Sequence, residues 1–448
     1  MTARRPVIDR REVGGATLLT LSQHSLPVVR FVIGLRRGAV GDPEGQSGTT
    51  RAMLELMLRG TESKPRAEFG RTLERLGSRV ASFCGAEVAG LRGICLRRNL
   101  ESTWALVGEA LTQPAFAVGE LEGLMGETVA ALYAERDEDD AVAEHFLRPL
   151  VYGAHPLSRF PEGTLVDLAR LDAPLLRREK PARLVASELV FGFVGDITPA
   201  QAATLVEPLV AAGEAAPVAR ASVARVGDPD GLQILVVDKP ARSQVQLRLA
   251  CPSLTGTDPD VDAFWLGVTA FGGTFTSPLT REVRDKRGWS YVAHAGFARR
   301  QRSRAPLVLS SAPALADAID CAALELSLFA DLAHGKLEHD TLDFARTYLL
   351  NRYPLDVASA ADLLGPAFEY EVLGLSPQEI FRVPERLEAL ALDAVAPVMR
   401  RHLEADRLVM LLVAPAAAVI GELERRFPRA HIRVGNYMEG LQPQEDAS

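Results

Sequence analysis

Apolar and polar positions alternate over residues 17–21 and 28–35, the two-residue period of half-buried strands, and the two segments read as a strand pair. The same two patterns return over 234–237 and 245–249, with Leu235 lying 216 positions after Leu19. A helical stretch ends on Gly77 and leads into an alternating segment at 78–83. Its counterpart ends on Gly288, 211 positions on, and leads into 289–297. The apolar run 189–194 is matched by 408–413, 219 positions on. Three landmarks in one order at nearly constant spacing predict a duplicated unit whose copies differ by loop insertions. Gly77 and Gly288 stand where a helix end takes a left-handed residue.

Helical spacing runs over 118–152, 314–332 and 339–350. Hairpins beside helices predict an α+β architecture of two homologous domains, each a mainly antiparallel β-sheet packed with α-helices. The expected boundaries are 1–212 for the first domain, 213–231 for an Ala-, Gly- and Pro-rich linker, and 232–448 for the second domain.

Charge narrows the function classes. With 50 Lys+Arg against 58 Asp+Glu, the net charge of −8 argues against a nucleic-acid footprint. No apolar run is long enough for a membrane helix, and the basic start has no apolar stretch behind it. The expected location is cytoplasmic, or periplasmic if a signal peptide was removed. Cys84, Cys95, Cys251 and Cys321 are dispersed, without a C-x-x-C pair, and read as reduced, mostly buried thiols.

Familiar chemistry is missing. There is no phosphate-binding loop, dinucleotide fingerprint or nucleophile elbow. Ser47, in a loop before a helix, reads as an N-cap. No two of the eight histidines have the i, i+4 spacing that sets two imidazoles on one helical face. The acidic run 135–140 reads as a solvated helix end, the basic run 299–304 as a solvated hairpin tip, and the tail after Met438 as frayed.

Residues 45–61 read Gly-Gln-Ser-Gly-Thr-Thr-Arg-Ala-Met-Leu-Glu-Leu-Met-Leu-Arg-Gly-Thr. This segment resembles the signature helix of the pitrilysin/insulinase zinc metallopeptidases, Gly-x-x-His-x-x-Glu-His-Met-Leu-x-x-Gly-Thr, an inverted zincin motif. The resemblance is expected to put Ala52 and Leu56 at the two histidine positions and Glu55 at the general-base position, where it is vestigial. It puts Ala131 or Leu132 at the family's third ligand, a glutamate. All three ligands are then absent, and no zinc or other cofactor is expected in this chain. The segment Tyr-Gly-Ala-His-Pro-Leu at 152–157 with Gly163-Thr164, and Val194-Gly195-Asp196, are similar to further family landmarks, His155 there being a packing residue.

Residues 271–291 are similar to the family block Gly-Gly…Ser-x-Leu…Leu-Arg-x-x-x-Gly-x-x-Tyr, whose arginine and tyrosine bind substrate. They map onto Arg284, in the last helical turn, and Tyr291, on the following strand; Arg287 is a weaker candidate. A guanidinium and a phenol O–H together offer donors to a substrate carbonyl.

Some two-domain bacterial members, like the mitochondrial processing peptidase, divide the zinc motif and the Arg/Tyr pair between chains. The resemblance therefore implies a non-catalytic, substrate-binding subunit of a heterodimeric zinc metallopeptidase, inactive alone. Its partner would be a homologous zinc-binding subunit and its substrate a peptide. A scaffold subunit like the respiratory core proteins, or a homodimeric peptide-binding module, are the alternatives.

Overall fold

The computed structural model describes residues 7–211 and 226–439. Most of the expected linker, the first six residues and the tail from residue 440 lie outside them. In chain order the elements used below are β1 (Asp9–Val13), β2 (Ala16–Ser22), β3 (Val28–Leu35), α1 (Thr49–Met57), α2 (Arg66–Arg75), β4 (Arg79–Cys84), β5 (Ala89–Leu96), α3 (Leu100–Thr112), α4 (Val118–Glu135), α5 (Asp139–Tyr152), β6 (Leu189–Gly195) and α6 (Pro199–Ala211). The second half supplies β7 (Gln233–Asp238), β8 (Gln246–Pro252), α7 (Val261–Val268), β9 (Ala293–Phe297), β10 (Pro306–Ser311), α8 (Ala318–Ala333), α9 (Ala360–Val372), β11 (Val409–Ala414) and β12 (His431–Asn436).

Two compact units result. Of the described residues, the first comprises 7–131, 159–211 and 356–381, the second 132–158, 226–355 and 382–439. Each unit therefore takes one segment from the opposite half of the chain.

The sheet of the first unit runs β1-β2-β6-β3-β5-β4. β2 lies parallel to β6; the other four pairings are antiparallel. β2 and β3, expected as a pair, are thus separated by β6, whose seven residues are all buried. A strand buried on both faces reads as a continuous apolar run and belongs in the middle of a sheet. On one face Trp104 of α3 packs edge-on against Phe31, ring centroids 5.3 Å apart, and against Phe193 at 4.8 Å. Its indole N–H donates to Leu205 O of α6 at 2.7 Å.

On the opposite face α9 packs over part of the sheet. Gly34 and Gly192 have no side chain where α9 approaches. A Cβ at Gly34 would stand 2.1 Å from the Phe368 ring, and one at Gly192 would stand 2.6 Å from Leu364. The buried carboxylate Glu371 secures this helix. It accepts from Arg10 Nε at 2.7 Å, Arg36 Nη2 at 2.7 Å and Thr17 Oγ1 at 3.2 Å. Burial alone would raise its pKa, yet the two guanidinium bonds outweigh that and leave it lowered.

The sheet of the second unit runs β12-β7-β11-β8-β10-β9, with β7 parallel to both β11 and β12. Here β11, the counterpart of β6, again separates the first two strands. Val142, Ala143, Phe146, Leu147 and Val151 of α5 form one core with Val237, Ala250, Val409, Leu411 and Val413. The acidic run 135–140 is largely solvated, with Asp137, Glu138 and Asp140 exposed, but its last two residues, which open α5, also make ion pairs. Asp139 lies 2.6 Å from Lys239 Nζ, and Asp140 pairs with the buried guanidinium of Arg248. The helical stretch expected over 118–152 is accordingly two helices, broken at 136–138.

The basic run 299–304 is also structural at both ends. Arg299 stacks 4.0 Å from the Trp265 ring centroid, and Arg304 donates to Ser253 O at 2.7 Å and Pro252 O at 3.0 Å. Cys95, Cys251 and Cys321 are buried and Cys84 half-buried, all free thiols. Burial pushes Cys84 and Cys251 up to about 12 and Cys95 up to about 11, so these thiols stay protonated. Among the described residues, no helix is long and apolar enough to cross a membrane.

Candidate functional site

In the first unit, α1 starts at Gly48, whose φ is +92°. Its cap is Asp42, not Ser47: the carboxylate accepts from Gly48 N at 2.9 Å and from Thr50 N at 3.0 Å. The Thr50 hydroxyl also donates to Asp42, and Arg183 holds it at 3.3 Å, so the carboxylate meets four donors.

One wall of α1 lines a cavity of about 10 Å³ with Arg51, Ala52 and Glu55, faced by Leu124, Met125 and Thr128 of α4. Space of that size admits one water at most. Arg51 and Glu55 are one turn apart, and Arg51 Nε donates to Glu55 Oε1 at 2.7 Å. Ala52 is 3% exposed, Leu54 and Leu56 1% each. Ala131 is exposed, Leu132 buried, and neither lines the cavity.

This wall corrects the expected register of the motif. In the family pattern 13 positions separate the first glycine from the threonine, as they do from Gly48 to Thr61. Counted on that frame, the histidine positions fall on Arg51 and Glu55, and the general-base position on Leu54, one residue before Ala52, Leu56 and Glu55. The expected ligand positions arise by counting from Glu55 as the retained acid, which ignores the spacing to Gly60-Thr61.

Zinc does not fit these residues. Arg51 brings a cation, Leu54 and Ala52 bring no donor, and of the two carboxylates in the lining Glu55 is already engaged by Arg51, which leaves Glu162 alone. Thr128 spends its hydroxyl on Leu124 O at 2.8 Å. A zinc site needs three or four N, S or O ligands around one point. Elsewhere Asp258, Asp260 and His402 come together, but Arg401 and the imidazole already occupy Asp260, at 2.5 and 2.8 Å.

In the second unit, the block 271–291 forms a different arrangement. Residues 269–273 and 281–285 are π-helical turns, the second carrying Arg284 and closing with Lys286 N donating to Arg281 O at 3.0 Å. Such turns interrupt the regular ladder and re-aim side chains. Gly288, at φ +67°, then reverses the chain, as the sequence predicts. Tyr291 is not on a strand: β9 begins at Ala293. The Ser290 hydroxyl donates to Val292 O at 2.5 Å and accepts from Ala312 N at 2.9 Å, which keeps 289–292 off the ladder.

The result brings Arg284 and Tyr291 together. The guanidinium carbon stands 4.9 Å from the Tyr291 ring centroid and 3.9 Å from that of Phe275, a residue the sequence analysis does not single out. Tyr291 is 80% exposed and Phe275 66%. Arg284 Nη1 is buried with no hydrogen-bond partner. A buried guanidinium donor without an acceptor is costly. Arg287 is engaged by Glu282 at 2.8 Å and by the Trp289 ring. His155 is a packing residue whose Nδ1 accepts from Leu157 N at 3.0 Å.

Comparison with known proteins follows the same lines. Residues 181–346 match the family model described as the peptidase M16 inactive domain. The chain is 25% identical over 305 residues to an uncharacterized zinc protease of Mycobacterium leprae, 66% of this chain and 67% of that protein. It is likewise 25% identical over 312 residues to one of Streptomyces coelicolor, 66% of this chain and 65% of that protein. Among solved structures, the peptidase M16 inactive domain from Pseudomonas fluorescens superposes with a TM-score of 0.85 at 22% identity, over 91% of this chain and 98% of that one. The periplasmic protease PqqL of Escherichia coli superposes with a TM-score of 0.77 at 15% identity, over 96% of this chain but 51% of that one. The structures establish the fold, residues 181–346 match the peptidase M16 inactive domain, and over about two thirds of its length the chain is similar to two zinc proteases.

Proposed function

We propose that this protein is the non-catalytic, substrate-binding subunit of a heterodimeric zinc metallopeptidase that hydrolyses peptides, with the zinc in a homologous partner chain. The observation that carries this reading is the contrast between its two halves. The α1 wall has lost its metal donors and its base, whereas Arg284 is kept with an unspent donor beside an exposed phenol. A fully solvated arginine would leave no such buried donor.

Arg284 and Tyr291 then orient the peptide. The guanidinium N–H and the phenol O–H donate to a substrate carbonyl oxygen, where negative charge grows as the carbonyl carbon becomes tetrahedral. The rings of Phe275 and Tyr291 limit the freedom of the guanidinium, so little ordering remains to be done on binding. The correspondence with about half of PqqL supports the need for a second homologous chain.

Capture of the tagged chain from its native cells, followed by mass spectrometry, tests the reading. A similar-sized companion with an intact His-x-x-Glu-His motif and metal-dependent peptidase activity of the pair are expected. Recovery of the chain only with itself, or only within an unrelated assembly, would overturn it.

A further inference from the structure

The face of the first sheet that carries α9 is only partly covered. Beyond Phe368 the surface formed by β3, β5 and β4 opens into a cleft of about 550 Å³, within the size range of ligand-binding clefts. Its floor carries Arg30, Arg79 and Arg92. The register explains why they converge. Arg30 of β3 and Arg79 of β4 both pair with Ile94 of β5, so they share one row across the sheet, and Arg92 lies two residues along β5 on the same face.

All three arginines are exposed. Ion pairs anchor many arginines of this unit, including Arg10, Arg36, Arg51, Arg59 and Arg183, but none among the described residues involves these three. The one carboxylate in the lining is Glu369, at the α9 rim. The remaining wall is apolar, with Phe83 set edge-on to Phe368 at 6.2 Å.

We infer that this cleft binds an extended acidic peptide segment, its carboxylates on Arg30, Arg79 and Arg92 and an apolar side chain against Phe83 and Phe368. Charge complementarity selects the sign of the occupant. The spread of the charges selects its form. Arg30 and Arg79 sit two strands apart, roughly 10 Å, which a lone carboxylate cannot bridge. In an extended chain, side chains two residues apart recur at roughly 7 Å on one face and reach such a row. Three arginines in a chain of net charge −8 are too few for a nucleic-acid footprint. The site lies wholly within the first unit and does not depend on the subunit reading above.

Fluorescence anisotropy on the purified full chain, without any partner, tests it. The probe is a fluorescein-labelled peptide with glutamate at alternate positions, a central phenylalanine and serine elsewhere. Saturable binding is expected, weakening about tenfold or more in Arg79→Glu/Arg92→Glu and again at high salt, with the melting temperature unchanged. The counterpart peptide with lysine for glutamate is expected not to bind. Absence of binding, or equal binding by the double variant or the lysine peptide, overturns the inference. So does tripolyphosphate binding more tightly than the peptide and losing its affinity in the same variant, which would make this a phosphate site. Arg30→Glu, singly, guards against a folding defect in the double variant and is expected to weaken binding in the same direction.

Discussion

Arg36 Nη2 lies 2.7 Å from Glu371 Oε1, joining the residue that follows β3 to a helix 335 residues away in sequence. Glu371 is 4% exposed and Arg36 reinforces the contact by donating Nη1 to Glu371 O at 2.8 Å. The pair closes the segment 356–381 onto the first unit. Glu371→Ala leaves Arg36 without its carboxylate in a largely buried place and is expected to lower stability by about 3 kcal/mol in urea denaturation. Arg10→Ala removes a half-exposed partner and is expected to cost less than about 1 kcal/mol. Equal effects of the two substitutions would show that Glu371 is not the anchor.

A second buried acid sets a pH dependence of opposite sign. Glu325 of α8 is fully buried, with Oε2 unpartnered, and burial pushes it up to about 7 despite help from Ser311, Cys321 and Arg248. Unfolded, the same group titrates near 4.5. Between those values the native state holds a proton that the unfolded state has released. Stability therefore falls as pH rises from about 4.5 to about 7 and levels off above, by roughly 3 kcal/mol from this group. Glu325→Gln keeps the shape and removes the charge, so it is expected to flatten this part of the profile and to raise stability at about pH 8. An unchanged slope in the variant would remove Glu325 as its source.

The local signals in the sequence were legible because they are local. Alternation located β2, β3, β7 and β8, and Gly77 and Gly288 do adopt the left-handed conformation, at φ +61° and +67°. Long-range relations left no local trace. Nothing in 17–35 announces that β6 inserts between β2 and β3, since that choice depends on a strand more than 150 residues on. The acidic run 135–140 is largely the solvated helix end its composition suggests, but nothing in that composition announces that Asp139 and Asp140 pair with Lys239 and Arg248 from the second half. At the site, Arg284 was found through its neighbours in sequence. Phe275 was missed because an exposed phenylalanine has meaning only once the guanidinium is seen above it. The arginine cleft was invisible for the same reason: Arg30, Arg79 and Arg92 are neighbours only through strand register.

A metal site of the family's pattern can be built on this register. Arg51→His/Glu55→His sets two imidazoles one turn apart, and Thr128→Glu adds a carboxylate from the facing wall of α4. After dialysis against trace-metal buffer, the unmodified chain is expected to retain no stoichiometric zinc by plasma mass spectrometry, and the triple variant close to one ion per chain. The larger side chains crowd a cavity of about 10 Å³, so the variant is expected to lose about 1–3 kcal/mol of stability in its metal-free form. Zinc binding by Ala52→His/Leu56→His instead, and not by the first set, would restore the other register.

The stack over Arg284 makes graded predictions for the proposed peptidase pair. Removing a donor that meets developing charge typically costs a hundredfold or more, so Arg284→Ala is expected to lower kcat/KM of the pair by at least about a hundredfold. Tyr291→Phe keeps the ring over the guanidinium at 4.9 Å and removes only the O–H, with an expected loss of about tenfold. Phe275→Ala keeps both donors but frees the guanidinium from the ring 3.9 Å away; a cation–π contact of about 1 kcal/mol corresponds to a fall of about fivefold. That ordering separates donation from packing, because a purely structural role for the cluster would make Phe275→Ala and Arg284→Ala similar and leave Tyr291→Phe silent. Native mass spectrometry of each variant pair must show the assembly intact for the comparison to hold. Full activity of both Arg284→Ala and Tyr291→Phe in an intact pair would end the assignment of substrate binding to this block.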